Sequence, residues 1–235
     1  MDYNKERTCL SVIPTEMADG RNPTGFHSEG GRFMSISRKY FDKTARGEEV
    51  TQYTLTNHKG ASVSVIDFGG IVTSIVVPDR DGKLADVNLG FDNVDTYDGK
   101  GGSMGALIGR YANRIANGQF YIDSIRYNIP QNNNGQSLHG GLKGLDQVIW
   151  DVDSVTPNKI YLSYTSPDGE EGYPGTLKLN MDYSLTDDNE FIIQYHATTD
   201  KPTVINLSHH GFFNLKGEGR GSINDHLLTI YADSI

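Results

Sequence analysis

Cysteine is almost missing from this chain: Cys9 is the only one in 235 residues. A single thiol excludes an internal disulfide framework and suits a reducing compartment, so a cytoplasmic location is expected. Long apolar runs are missing too. No stretch of about 18 apolar residues occurs, so no transmembrane helix is expected, and Met1–Met17 has no apolar core behind its charges, so no secretory leader is expected. Basic residues are the minority, 21 Lys and Arg against 30 Asp and Glu, for a net charge of -9. They form no local cluster, which argues against nucleic acid as a partner, and without a long apolar run no membrane partner is expected either. Neither the phosphate-cradling G-x-x-x-x-G-K-[ST] nor a strand-linked G-x-G-x-x-G is present, and neither are H-E-x-x-H nor a Cys/His ligand set. Residues for a Ser/His/Asp set exist, but no recognisable nucleophile elbow presents them. The expectation is chemistry without a metal or another cofactor.

What the chain has is alternation. Leu177, Leu179, Met181, Tyr183 and Leu185 interleave with Lys178, Asn180, Asp182 and Ser184, the pattern of a strand with one wet face. Similar runs cover Tyr53–Thr56, Ala61–Phe68, Ile71–Val77, Lys159–Tyr164, Phe191–Ala197, Val204–Leu207 and His226–Ala232. Turn chemistry separates them: Asn57–Gly60, Pro78–Gly82 and Asp187–Asn189, with Asp123-Ser124 joining Gln119–Ile122 to Ile125–Ile129 as a tight hairpin. Almost no segment has a period of 3.6, so the fold class is all-β, an antiparallel sandwich or barrel. Residues 1–35, mixed in charge and rich in Gly, Pro and Ser, read as a flexible N-terminal extension, and residues 36–235 as one β domain.

Four stretches carry candidate chemistry. In Val204–Leu215 an apolar run delivers His209 and His210, whose side chains point to opposite faces of an extended chain. At most one of them can face a given pocket, where histidine suits proton transfer near neutral pH; the competing reading is a satisfied structural histidine. Gly105–Gly118 sets Arg110, Asn113 and Arg114 among small residues where a ligand can approach the backbone; the competing reading is a short helix with two solvated arginines. Asn132–Gly141 places His139 before Gly140-Gly141 in an Asn-rich turn, either as a ligand contact or as a structural histidine. Ser166–Gly175 carries Asp168, Glu170 and Glu171, whose spacing fits no calcium loop and which are expected to be solvated. Polar loops on a β-sandwich with two histidines and an arginine suit a neutral polyhydroxylated ligand such as a sugar.

GALIGRYANRIANGQF, NNNGQSLHGG, SPDGEEGYPG and INLSHHGFFNL, in this order, resemble the aldose 1-epimerase (galactose mutarotase) family from about Ser37 to the end of the chain. The resemblance implies a galactose mutarotase-like antiparallel β-supersandwich and cofactor-free interconversion of the α and β anomers of hexoses such as galactose and glucose. It implies that His210 is the general acid, that Asn113 and Arg114 bind sugar hydroxyls, and that His139 binds substrate and helps polarise the ring oxygen. The partner is the hexose, and the complete protein is expected to be a monomer or dimer. Two departures stand out: His209 occupies the place of the family's usual Asn, and Gly211-Phe212 that of Ser-Tyr. In the family the catalytic glutamate and a substrate-binding aspartate lie downstream of this motif, past Ile235. The chain is therefore expected to be the N-terminal portion of such a domain, with its closing strands missing. The alternative is a catalytically inactive carbohydrate-binding fragment that lacks the base.

Overall fold

A computed structural model of the chain describes residues 33–98 and 101–234. The extension expected over residues 1–35 falls almost wholly outside them. Five strands open the described chain: β1 (Ser35–Lys43), β2 (Glu49–Thr56), β3 (Ser62–Ile66), β4 (Val72–Pro78) and β5 (Leu84–Asp86). They form one antiparallel meander in the order β1-β2-β3-β4-β5. A single helical turn, α1 (Val94–Tyr97), follows, capped by the Asn93 side chain on the Thr96 amide.

Next come short strands: β6 (Leu107–Ile108), β7 (Arg114–Ile115), β8 (Gln119–Ile122), β9 (Ile125–Asn128) and β10 (Ser137–Leu138). β8 and β9 form the hairpin expected around Asp123-Ser124. Both turn residues sit in the left-handed region, at φ 47° and 66°, which matches the right-handed twist of the strands they join. A second meander follows, β11 (Asp151–Thr156), β12 (Lys159–Ser166), β13 (Leu177–Leu185) and β14 (Phe191–Thr199), and the last strand is the short β15 (Ser208–His209).

Alternation places the core. On β13, Leu177, Leu179, Met181 and Tyr183 are buried while Lys178 and Asn180 are exposed. That face joins Ile160 and Leu162 of β12 in one apolar cluster with Leu55, Val63, Val65, Val72 and Ile75 of the first sheet. Two sheets sharing one apolar layer make a sandwich, and each fully buried aliphatic side chain contributes about 1.5–3 kcal/mol. The one tryptophan, Trp150, lies in this layer. Its indole N–H donates to the Leu145 carbonyl and its ring tilts against Tyr164 at 5.7 Å. Buried Tyr183 satisfies its phenol by donating to the Gly70 carbonyl.

Two expected strands are corrected. His226–Ala232 alternates but runs as irregular chain, with Leu227 and Tyr231 each 99% exposed. No ladder pairs it among the described residues, and alternation without a neighbouring edge leaves backbone groups to water. Val204–Leu207 is also not a strand. Asn206 alone pairs there, its N–H on the Arg110 carbonyl at 2.9 Å and its C=O on the Ala112 N–H at 2.8 Å. The ladder of this segment begins one step later, at Ser208.

Candidate active site

β15 lies against β6, Ser208 opposite Ile108 and His209 opposite Leu107. Immediately after it the His210 N–H donates to the Ala106 carbonyl at 2.9 Å, and the Gly105 N–H donates to the His210 carbonyl at 2.8 Å. Gly105 has φ 68°, and a Cβ there would lie 2.4 Å from the Val72 carbonyl oxygen, so only glycine fits beneath the histidine. The two imidazoles diverge as an extended backbone requires. His209 turns inward, edge-on to Tyr183 at 6.4 Å, and His210 turns toward His139 at 5.2 Å and Phe212 at 5.1 Å.

His139 sits just past β10, which pairs with β7 so that Leu138 is opposite Arg114. Its backbone is left-handed at φ 55°, as is that of Asn113 at φ 68°. The Asn113 N–H donates to His139 Nδ1 at 3.0 Å, and the His139 N–H donates to the Asn113 carbonyl at 3.2 Å. An accepting Nδ1 assigns the proton of the neutral ring to Nε2. Burial, with help from His210 and Arg114, holds the His139 pKa below the ordinary imidazole value. Arg114 is exposed and donates to Asn133 Oδ1 at 3.2 Å. His139 is thus the hub, bonded to the Asn113 backbone and perpendicular, at 86°, to the His210 ring. Asn113 and Arg114 present their side chains to solvent beside it.

Arg110 was grouped with these residues in the sequence, and the fold separates it. It is 3% exposed. Its Nε donates to Ser166 Oγ at 2.8 Å, Nη1 to the Pro174 and Gly175 carbonyls, and Nη2 to the Ser166 and Pro167 carbonyls. Its segment is the bend-rich link between β6 and β7 rather than the alternative short helix, and the arginine is a fastener between loops. Of the three carboxylates expected to be solvated, Asp168 is exposed while Glu170 and Glu171 are half-buried, and each has a partner. Glu170 accepts from Tyr164 Oη at 2.8 Å and from Ser166 Oγ. Asp168 accepts from the Gly175 N–H and pairs with Lys201. Glu171 accepts from the Leu142 N–H at 2.6 Å. Nothing in the spacing Gly169-Glu-Glu-Gly172 distinguishes such fasteners from surface charge; the partners come from distant segments.

Ser103 donates to Asp146 Oδ2 at 2.7 Å. That direct bond to a carboxylate is not a serine–histidine nucleophile arrangement. Burial raises the Asp146 pKa, against the Ser103 hydrogen bond and the neighbouring His210. Among the described residues no group of three or more His, Cys, Asp or Glu is placed to hold a metal ion, and no helix is long and apolar enough to cross a membrane.

His209 gives the site region a distinct acid response. Its Nε2 is sealed from solvent with no hydrogen-bond partner. Burial pushes its pKa down to about 4, with His210 adding to the shift and the Gly105 backbone opposing it. The folded value lies below the unfolded one, so the unfolded chain takes up the proton first. Stability then falls as pH drops through about 6.5 and levels off below about 4. The expected loss at pH 5 relative to pH 7 is about 2 kcal/mol. Urea titrations at the two pH values should show that loss shrinking sharply in His209→Asn; equal losses in both proteins would assign the acid response elsewhere.

The family profile for aldose 1-epimerase matches residues 51–235. The chain belongs to the aldose 1-epimerase family. Among members of that family, galactose mutarotase of Rattus norvegicus is 40% identical over 201 residues, covering 86% of this chain and 58% of the relative. Aldose 1-epimerase of Escherichia coli K12 is 36% identical over 187 residues, 80% of this chain and 54% of the relative. The chain therefore spans between half and three-fifths of these curated relatives. Two solved structures share the fold. A GalM/aldose epimerase homologue from C. elegans aligns with a TM-score of 0.65 at 34% identity, over 68% of this chain and 49% of its own. Galactose 1-epimerase from Lactobacillus acidophilus aligns with a TM-score of 0.67 at 27% identity, over 77% and 53%. The all-β mutarotase-like architecture and the family expected from the four motifs are both borne out.

Proposed function

We propose that this chain carries the proton-donating and sugar-holding side of an aldose 1-epimerase site that interconverts the α and β anomers of a hexose such as galactose or glucose. The observation that carries the reading is the perpendicular His139–His210 pair, one imidazole locked by the Asn113 amide and the other facing it. Relatives named galactose mutarotase and aldose 1-epimerase support the substrate class.

Anomer exchange needs a proton delivered to the ring oxygen while the anomeric hydroxyl loses one. The C1–O5 bond then breaks, the aldehyde rotates about C1–C2, and the ring closes on the other face. In this reading His210 donates to the ring oxygen and His139 offers its Nε2–H to polarise the same region. Arg114 and Asn113, exposed beside His139, hydrogen-bond hydroxyl groups; a neutral sugar is held by such bonds without an ion pair. The base that takes the anomeric proton is assigned to none of the carboxylates described above. Action in the cytoplasm is part of the proposal, supported by the lone Cys9.

The test is a titration of the histidine ring resonances of the chain with D-galactose, followed by polarimetry on fresh α-D-galactose. His139 and His210 are expected to move saturably, whereas His58, bonded to Asp187, and His226, bonded to the Leu215 amide, stay fixed. A set of ring signals unmoved by sugar would end the proposal. Saturable binding with no rotation change above the spontaneous drift would instead assign a carbohydrate-binding role.

A further inference from the structure

Three loops meet at the site, and each is fastened to the next. Arg110, from the loop that carries Asn113 and Arg114, grips Ser166, Pro167, Pro174 and Gly175 of the 166–175 loop. That loop returns Glu171, whose Oε2 accepts from the Leu142 N–H at 2.6 Å. Leu142 ends the turn His139-Gly140-Gly141, and His139 Nδ1 closes the circuit on the Asn113 N–H. Asn132 bridges both ends of the turn, accepting from the Leu138 N–H and donating to the Leu138 and Gly141 carbonyls.

The contact at Glu171 is close-built. A Cβ on Gly141, where φ is 119°, would lie 2.2 Å from Glu171 Oε2. Glu171 itself is held in the left-handed region at φ 50°, which a non-glycine residue enters only when its surroundings impose it. Leu142, by contrast, is exposed and anchors nothing through its side chain. The Gly141–Leu142 peptide is thus held twice, by Asn132 on its carbonyl and by Glu171 on its amide, and of these two bonds the Glu171 carboxylate is the one that ties the downstream end of the His139 turn to the 166–175 loop.

We infer that Glu171 is a positioning residue for His139. By holding the Leu142 amide it fixes the turn in which His139 keeps Nδ1 as acceptor and presents Nε2–H as donor to the sugar. Release of this end lets the turn relax, His139 leaves the Asn113 amide, and the imidazole samples both tautomers. The sugar-facing half of this inference rests on the proposed epimerase site; the tautomer half does not.

The experiment uses the whole chain, ligand-free, with nitrogen-15 labelled histidine. In the wild type His139 is expected to show an unprotonated Nδ1 and a protonated Nε2. In Glu171→Ala the two nitrogens should shift toward averaged values, and exchange of the Leu142 amide should accelerate at least ten-fold. Glu171→Gln, whose side-chain oxygen still accepts from that amide, should restore the wild-type pattern. Where the wild type binds D-galactose, Glu171→Ala should weaken binding about ten-fold, the scale of one hydrogen bond to a charged group, and Glu171→Gln should recover most of it. An unchanged His139 tautomer in folded Glu171→Ala overturns the inference. So does a folded Glu171→Gln protein whose His139 nitrogens are averaged, and this comparison with the wild type decides the matter if the alanine variant does not fold. A wild type that binds no galactose counts against the epimerase proposal alone, because the tautomer result stands without sugar.

Discussion

Arg110→Ala is expected to lower the stability of the chain by about 3–5 kcal/mol, a large fraction of what a domain of this size possesses. Deleting the guanidinium leaves the carbonyls of Ser166, Pro167, Pro174 and Gly175 without their donors. It also strips Glu170 of the positive charge that reaches it through Ser166 Oγ. Burial lowers the Arg110 pKa while Glu170 and Asp168 raise it. A guanidinium remains charged in either case, so its removal deprives partners and relieves no repulsion. The outer side of this loop, at Pro167 and Asp168, is exposed; water can reach part of the exposed gap, which places the expected loss toward the lower end of the range. Arg110→Lys should recover little, because three donors from one nitrogen cannot span acceptors arranged for a planar fork. Urea unfolding followed by far-ultraviolet circular dichroism measures the difference. A loss below about 1 kcal/mol would show that the fork is as replaceable as a surface ion pair.

The second large effect concerns rate. Wherever the polarimetric assay registers turnover, His210→Ala should reduce it by ~10²–10⁴-fold, the contribution typical of a positioned general acid. His209→Ala should cost less than ten-fold per folded molecule, although it opens a gap beside Tyr183 and lowers stability. The asymmetry follows from the backbone. His209 is paired on β15 with its ring against the core, while His210 follows with its ring on the other face, toward His139. Equal rate losses in the two variants would remove His210 from the acid role.

Much of the fold was legible because period-two alternation and turn chemistry are local. β13 could be delimited from Leu177 to Leu185 by its pattern, and the β8–β9 hairpin by Asp123-Ser124. β1 and β11 were not legible. β1 reads Ser-Ile-Ser-Arg-Lys-Tyr-Phe-Asp-Lys and β11 reads Asp-Val-Asp-Ser-Val-Thr; each is an edge strand with most residues exposed, so neither needs a continuous apolar face. The opposite error occurred at His226–Ala232, where alternation is present and pairing is not. In the site, the divergence of His209 and His210 follows from strand geometry alone. The fastening of Glu170, Glu171 and Arg110 does not, since their partners are fixed by how separate loops fold against one another.

The solitary indole described in the core has a practical consequence. Trp150 is bonded to the Leu145 carbonyl and leans on Tyr164, whose hydroxyl holds Glu170. It therefore sits one phenol ring away from the loop that Arg110 grips. With no second tryptophan to dilute its emission, the chain carries an intrinsic optical gauge of whether that loop is docked, and it can be read without any added label.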